Sequence, residues 1–200
     1  NHNIISGLNV HDIGDEGIHL RTNSSNNLVQ YNWIHATGQR IAWFGEGIYI
    51  GSSISNWDSL TDGEPDRSDN NQILDNLIGP NVTAEAIDIK EGTTGGIVKN
   101  NTFFSDADHV ADSWIDVKGN AYEVTDNAGI RPSEDVFRTP YLTIQIREDW
   151  GLNNLLENNI DEIYDDTIYE PFRAVHSISR SDNIILPQRP IRYTIGELIA

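Results

Sequence analysis

One short pattern returns five times along the chain: EGIHL at Glu16, EGIYI at Glu46, EAIDI at Glu85, SWIDV at Ser113 and LTIQI at Leu142. Each copy holds two apolar residues at alternate positions: Ile18/Leu20, Ile48/Ile50, Ile87/Ile89, Ile115/Val117 and Ile144/Ile146. From the first Ile of one pair to the next the steps are 30, 39, 28 and 29 residues, and the long step carries the insertion SNWDSLTDGEPDRSD. Self-similarity at such an interval means that each copy is a unit that buries its apolar face against its neighbours.

Each copy is followed by a turn and a second pattern. It reads Asn27/Val29/Asn32/Ile34, then Asn71/Ile73/Asn76/Ile78, then Gly96/Val98/Asn101/Phe103, with looser copies at Val124/Asn127, Asn154/Leu156/Asn159, Asn3/Ile5/Leu8/Val10 and Asn183/Ile185. Period-two alternation over four or five residues predicts short strands, and the Gly, Asn, Ser and Thr between them predict tight turns. An antiparallel β-sandwich also uses short strands, but it does not repeat one Asn and Ile spacing at a constant interval. The pattern therefore predicts an all-β parallel β-helix, with coils of about 28–30 residues stacked about 4.8 Å apart. In such a stack, Asn at a fixed point of successive coils can bond its amide to the amides above and below.

From Asn3 to about Asn159 these residues resemble the right-handed parallel β-helix proteins of the pectate-lyase-like superfamily. The resemblance implies a right-handed solenoid. We expect a single domain over residues 1–200, part of a longer chain, with a loop inserted at 52–68 and a less regular segment at 160–200. The absence of Met, an initiator included, fits a piece of a longer product.

Charge narrows the partners. A formal net charge of −18 with only 13 Lys and Arg speaks against nucleic acid, whose phosphates are held by clustered basic side chains. No apolar run is long enough to span a bilayer. The absence of Cys removes disulfides and thiolate metal sites, and the histidines lack the paired spacing of a zinc site. Three Asn-x-Ser/Thr triplets, at Asn23, Asn81 and Asn100, give weak support for a secreted, extracellular protein.

If the isoleucines point inward, the residues between them point out and form columns. One column comprises His19, Tyr49, Asp88, Asp116 and Gln145; the next comprises Arg21, Gly51, Lys90, Lys118 and Arg147; a third aligns Glu16, Glu46 and Glu85 with Ser113 or Asp112. The structural reading is that the aspartates and lysines neutralise one another across strands, each pair contributing about 0.2–1 kcal/mol. The functional reading is that Lys90 and Lys118, side by side, depress each other's pKa until one serves as a base. Glu46, Glu85, Asp88 and Asp116 are hard oxygen ligands for Ca²⁺ on the same face. Such a set suits β-elimination of a uronic-acid polymer: Lys90 or Lys118 removes the proton α to the carboxylate, and Arg147 or Arg21 stabilises the developing charge.

Within the superfamily, Glu85 and Lys90 in EAIDIK look similar to the Glu and Lys of the calcium-assisted lyases related to alginate lyase and chondroitinase B. VKGN at 117–120 looks like their following Arg-His-Gly-Asn run. The resemblance implies a metal ligand at Glu85 and a base at Lys90. Thr83 stands where those lyases carry a second Glu, and Val117 with Lys118 replaces their Arg-His. Trp43, Trp57, Tyr49 and His19 are candidates to contact sugar rings, with Arg40 and Arg67 for their carboxylates. The expected function is thus a Ca²⁺-assisted polysaccharide lyase. The alternative is a non-catalytic structural or carbohydrate-binding solenoid that self-associates through its ends.

Overall fold

The chain turns its corners at residues that accept left-handed backbone. Immediately before the buried asparagines Asn32, Asn76, Asn101, Asn127 and Asn159, the bend falls on Tyr31, Asp75, Asn100, Asp126 and Asn158, with φ of 54, 55, 56, 58 and 53°. Asn and Asp tolerate this region because their short polar side chains bond locally. Repetition of one bend at one point of each coil brings equivalent strands into register. The computed structural model describes residues 1–106, 109–131, 139–163, 172–180 and 182–187.

Three parallel sheets result. The first, of seven strands, runs from Ile4–Ser6 to Ile178–Ser179, and the second, also of seven, from Asn9–Val10 to Ile184–Pro187. The third, of six, comprises Ile18–Leu20, Ile48–Ile50, Ile87–Ile89, Ile115–Val117, Tyr141–Thr143 and Phe172–Ala174. Strands adjacent in a sheet come from successive coils, so every pairing described is parallel. This is the expected parallel β-helix. Among the described residues no helix is long and apolar enough to cross a membrane.

Inward positions form one continuous core: Val29, Ile73, Val98, Val124 and Leu156 from the first sheet face Ile48, Ile87 and Ile115 from the third, all fully buried. Burial of each such side chain stabilises the fold by about 1.5–3 kcal/mol. At the corner after the first sheet, Asn32, Asn76, Asn101, Asn127, Asn159 and Asn183 form an unbroken ladder, each Nδ2 donating to the next Oδ1 at 3.0 Å. Each Oδ1 from Asn76 onward also accepts a backbone N–H of the preceding coil, and each Nδ2 donates to a backbone carbonyl. The amide dipoles thus satisfy polar groups that water cannot reach.

The fifth copy departs from expectation. Ile115 pairs with Tyr141 and Val117 with Thr143, so the strand starts three residues before Ile144. An odd slip exchanges the faces: Leu142 stands opposite Asp116, while Ile146 is 43% exposed. Tyr141 takes the inward position because it fills more space, packing its ring against Phe103 and Trp114 and donating its hydroxyl to the Ile160 carbonyl at 2.8 Å. Of the segment 160–200, the strands Ile160–Ile163, Phe172–Ala174, Ile178–Ser179 and Ile184–Pro187 join the sheets. Its residues 164–171, 181 and 188–200 lie outside the described residues.

Candidate active site

The outward face of the third sheet carries the predicted columns as far as the fourth copy. His19 lies beside Tyr49, Tyr49 beside Asp88 and Asp88 beside Asp116. Gly51, Lys90 and Lys118 follow one residue beyond each strand, each donating its backbone N–H to the preceding coil. Gln145 and Arg147 are not in the columns, because the fifth strand ends at Thr143. Arg147 is exposed and lies outside the two cavities described below, which corrects its proposed role beside Lys118.

Charges on this face are interlocked. Lys90 Nζ lies 2.5 Å from Asp88 Oδ2, and Lys118 Nζ lies 2.9 Å from Asp88 Oδ1 while also pairing with Asp116 Oδ2. Burial pushes the Asp88 carboxyl up, but the two ammoniums outweigh it and hold it below the usual range. Asp116, with burial dominant, rises to about 6. For Lys118, burial works against the charge, yet Asp88 and Asp116 hold the ammonium well above the usual lysine range. The lysines therefore do not depress Lys118 as their adjacency suggested: the carboxylates between them decide the sign, and Lys118 is a fixed cation rather than a base.

The glutamate column deepens the acidity. Burial, followed by the charge of Asp88, raises Glu85 to about 8, and the same causes raise Glu46 to about 7. Carboxylate oxygens of Glu46, Glu85 and Asp88 lie within 4.8 Å of one another, as do those of Glu85, Asp112 and Asp116. Glu46 is 4% and Asp116 3% exposed, and Glu46 Oε2 and Asp116 Oδ1 have no hydrogen-bond partner among the described residues. Buried acceptors without donors are costly unless something else supplies the positive charge.

Two cavities open over this face. One, of about 440 Å³, is lined by Ala84, Glu85, Asp88, Val110, Ala111, Asp112 and Asp116 together with Trp43, Glu46 and Lys90. The other, of about 470 Å³, shares Trp43, Glu46 and Lys90 and adds Glu16, His19, Arg21, Phe44, Tyr49 and the inserted residues Ser52, Ser53, Ser55, Asn56 and Leu60. Lys90 Nζ sits 5.0 Å from the centroid of the Tyr49 ring, whose hydroxyl burial holds above the usual phenol range. His19 meets the same ring edge-on at 4.4 Å and donates from Nε2 to the Gly51 carbonyl at 2.9 Å. Burial lowers its imidazole, leaving it neutral near pH 7.

The remaining candidates are elsewhere. Trp57 is buried and donates its indole N–H to the Ser52 carbonyl, so it anchors the insertion instead of facing a sugar. Arg40 pairs with Asp15 and Arg67 with Asp69, and neither lines the two cavities described above. The acidic run of the insertion is structural at its most buried member: Asp66 accepts bonds from Thr22 N, Asn23 N, Ser52 Oγ and Ser68 Oγ. Sequence reasoning missed Glu91, whose Oε1 accepts from Ile54 N at 2.7 Å and ties the insertion down. It belongs to no column, so periodicity carries no signal for it. The wall at Val110 and Ala111 was likewise silent, as it lies between strands.

No protein-family model matches the chain, and no curated protein does. Among solved structures, the crystal structure of an alginate lyase from Paenibacillus sp. str. FPU-7 is similar at a TM-score of 0.74 and 33% sequence identity. The fold is the pectate-lyase-like β-helix. The similarity covers 94% of this chain and 65% of the alginate lyase, so this β-helix spans somewhat under two thirds of that protein's length.

Proposed function

We propose that this β-helix is a lyase that cleaves a uronic-acid-containing polysaccharide by β-elimination, acting outside the cell, where such polymers are found. The observation that carries the reading is the place of Lys90: its side chain borders both cavities and lies against Tyr49, on a fold similar to an alginate lyase. In the reaction Lys90, as the amine released from its ion pair with Asp88, takes the proton from the carbon α to the uronate carboxylate. Those electrons form the new C=C bond, the bond to the glycosidic oxygen breaks, and a donor protonates that oxygen. Tyr49, kept protonated by its burial, is that donor. Arg21, in the same cavity, supports the negative charge that builds on the carboxylate. Lys118, lining neither cavity, fixes Asp88 and Asp116 in place.

The carboxylates fit a Ca²⁺ ion. The donor set is all oxygen, as a hard cation requires, and Glu46 Oε2 and Asp116 Oδ1 are buried acceptors with no hydrogen-bond partner among the described residues. Glu46, Glu85 and Asp88, with Asp112 and Asp116 beside them, would hold it. Bound there, the ion supplies neutralisation of the substrate carboxylate, which an acidic face otherwise repels.

The test is incubation with alginate, pectate and glucuronan, with and without Ca²⁺, following ultraviolet absorbance of the unsaturated product. Absence of signal with every acidic polymer removes the lyase. A second reading, a structural or carbohydrate-binding solenoid, is favoured by the ion pairs that engage both lysines. Its self-association would use the ends of the solenoid. Binding of these polymers without cleavage selects it.

A further inference from the structure

Of the three residues that border both cavities, two are charged and one is Trp43, which is 70% exposed beside a 52% exposed Phe44. With Ile41, 41% exposed, they form a contiguous apolar patch, the kind of surface at which ligands dock. Mobility does not account for this exposure. The Thr83 hydroxyl donates to the Ala42 carbonyl at 2.8 Å, the Thr37 hydroxyl to the Gly45 carbonyl at 2.5 Å, and Phe44 N to the Ile41 carbonyl at 3.0 Å. Beneath the turn Gly38 and Gly45 touch: a Cβ added to Gly45 would lie 2.7 Å from Gly38 Cα and 2.0 Å from Thr83 Oγ1. The backbone of the turn is thus clamped to the solenoid while its rings stand in solvent. An apolar face held in place before binding loses little entropy when a ligand arrives.

The surroundings specify the ligand. In a chain with 31 Asp and Glu against 13 Lys and Arg, the cavity on one side of Trp43 holds two cations, Arg21 and Lys90, and the neutral His19 alongside Glu16 and Glu46. Ser53, Ser55 and Asn56 on its inserted wall offer hydroxyl and amide partners. A sugar ring has an apolar C–H face and a hydroxyl edge, which match an indole and such a wall. Each cavity, at about 440 and 470 Å³, falls within the roughly 300–1,000 Å³ of small-molecule sites.

We propose that Trp43 is a stacking face that divides the cleft into two sugar subsites, so that consecutive units of an acidic polysaccharide straddle it and the bond between them lies beside Lys90. The position of the cut rests on the lyase reading; the binding does not. Thr83, at the position where the lyases it resembles carry an acid, serves here to hold this platform.

The experiment compares wild type with Trp43→Ala and Trp43→Phe, using saturated uronate tetrasaccharides prepared from alginate, pectate and glucuronan. Binding is read, with and without Ca²⁺, by rapid-mixing tryptophan fluorescence and by calorimetry. The wild-type indole signal should change on binding and that change should vanish in Trp43→Ala, whose affinity should fall about tenfold while Trp43→Phe stays within about threefold. In turnover KM should rise about tenfold, with kcat within about threefold. The unfolding midpoint of Trp43→Ala should match wild type, since the ring is exposed. Unchanged affinity in Trp43→Ala, or a fluorescence change that persists in it, overturns the proposal. Wild type that binds a tetrasaccharide without cleaving it removes the lyase and leaves the platform; wild type that binds none removes both.

Discussion

At the scale of single residues the two lysines, equal in the sequence, separate by environment. Lys118 compensates two buried carboxylates, and its removal leaves Asp116 with no cation. Lys118→Ala should therefore cost about 3–5 kcal/mol of stability, measured by urea unfolding. Lys90→Ala leaves Asp88 paired with Lys118, so the fold should persist while activity on the cleaved polymer drops about 10²–10⁴-fold. Activity that survives in a folded Lys90→Ala protein would reassign the base. The ladder asparagines make a sharper stability test. Asn101 donates to Asn127 Oδ1 and the Ile73 carbonyl and accepts from Asn76 N and Nδ2, all at 2.9–3.0 Å. Asn101→Ala strands buried donors and acceptors in three coils, so about 3 kcal/mol should be lost. An unfolding midpoint equal to wild type would mean that water satisfies these groups.

At the scale of elements, the parts visible in the sequence were those that periodicity controls. Copies one to four were in register, and so were the columns from His19 to Asp116, because an Ile at every second position leaves one choice of inward face. The fifth copy, YLTIQI, offers apolar residues in both phases, and volume rather than pattern decides it. Tyr141 enters beside Trp114, whose ring lies so close under Gly129 that a Cβ there would stand 1.9 Å from it. Placement of Arg147 was lost with that register. The insertion was legible as a loop but not residue by residue: its small residues line the cavity, while Trp57 turns inward. The aromatic cluster predicts that Gly129→Ala, an innocuous change on sequence grounds, destabilises the protein by about 1–3 kcal/mol through overpacking. Urea unfolding checks it, and a neutral result would show that Trp114 has room to move.

At the scale of the whole molecule, the acidic groups among the described residues range from exposed to fully buried, and a few are confined where ionisation is opposed. Glu85 is raised from 4.5 to about 8, Glu46 from 4.5 to about 7 and Asp116 from 3.8 to about 6. Each binds its proton more tightly in the folded chain than in the unfolded one, so between those limits the folded state holds the extra proton and stability falls as pH rises. The contribution is complete below about pH 4 and gone above pH 8. Asp88, lowered by its lysines, runs the other way, weakening the fold only in more acid solution. In chelator, Tm should therefore decline from pH 5 to pH 8.5, and Glu85→Gln, which has no proton to lose, should flatten that decline. A cation held by Glu46, Glu85 and Asp88 competes with those protons, so Ca²⁺ should raise Tm at pH 8.5 more than at pH 5. The increment should be lost in Glu46→Gln. A Tm indifferent to Ca²⁺ at both pH values would leave the carboxylates as a proton store and take the metal out of the proposed chemistry, while a decline unaltered by Glu85→Gln would place the titrating group elsewhere on the acidic surface.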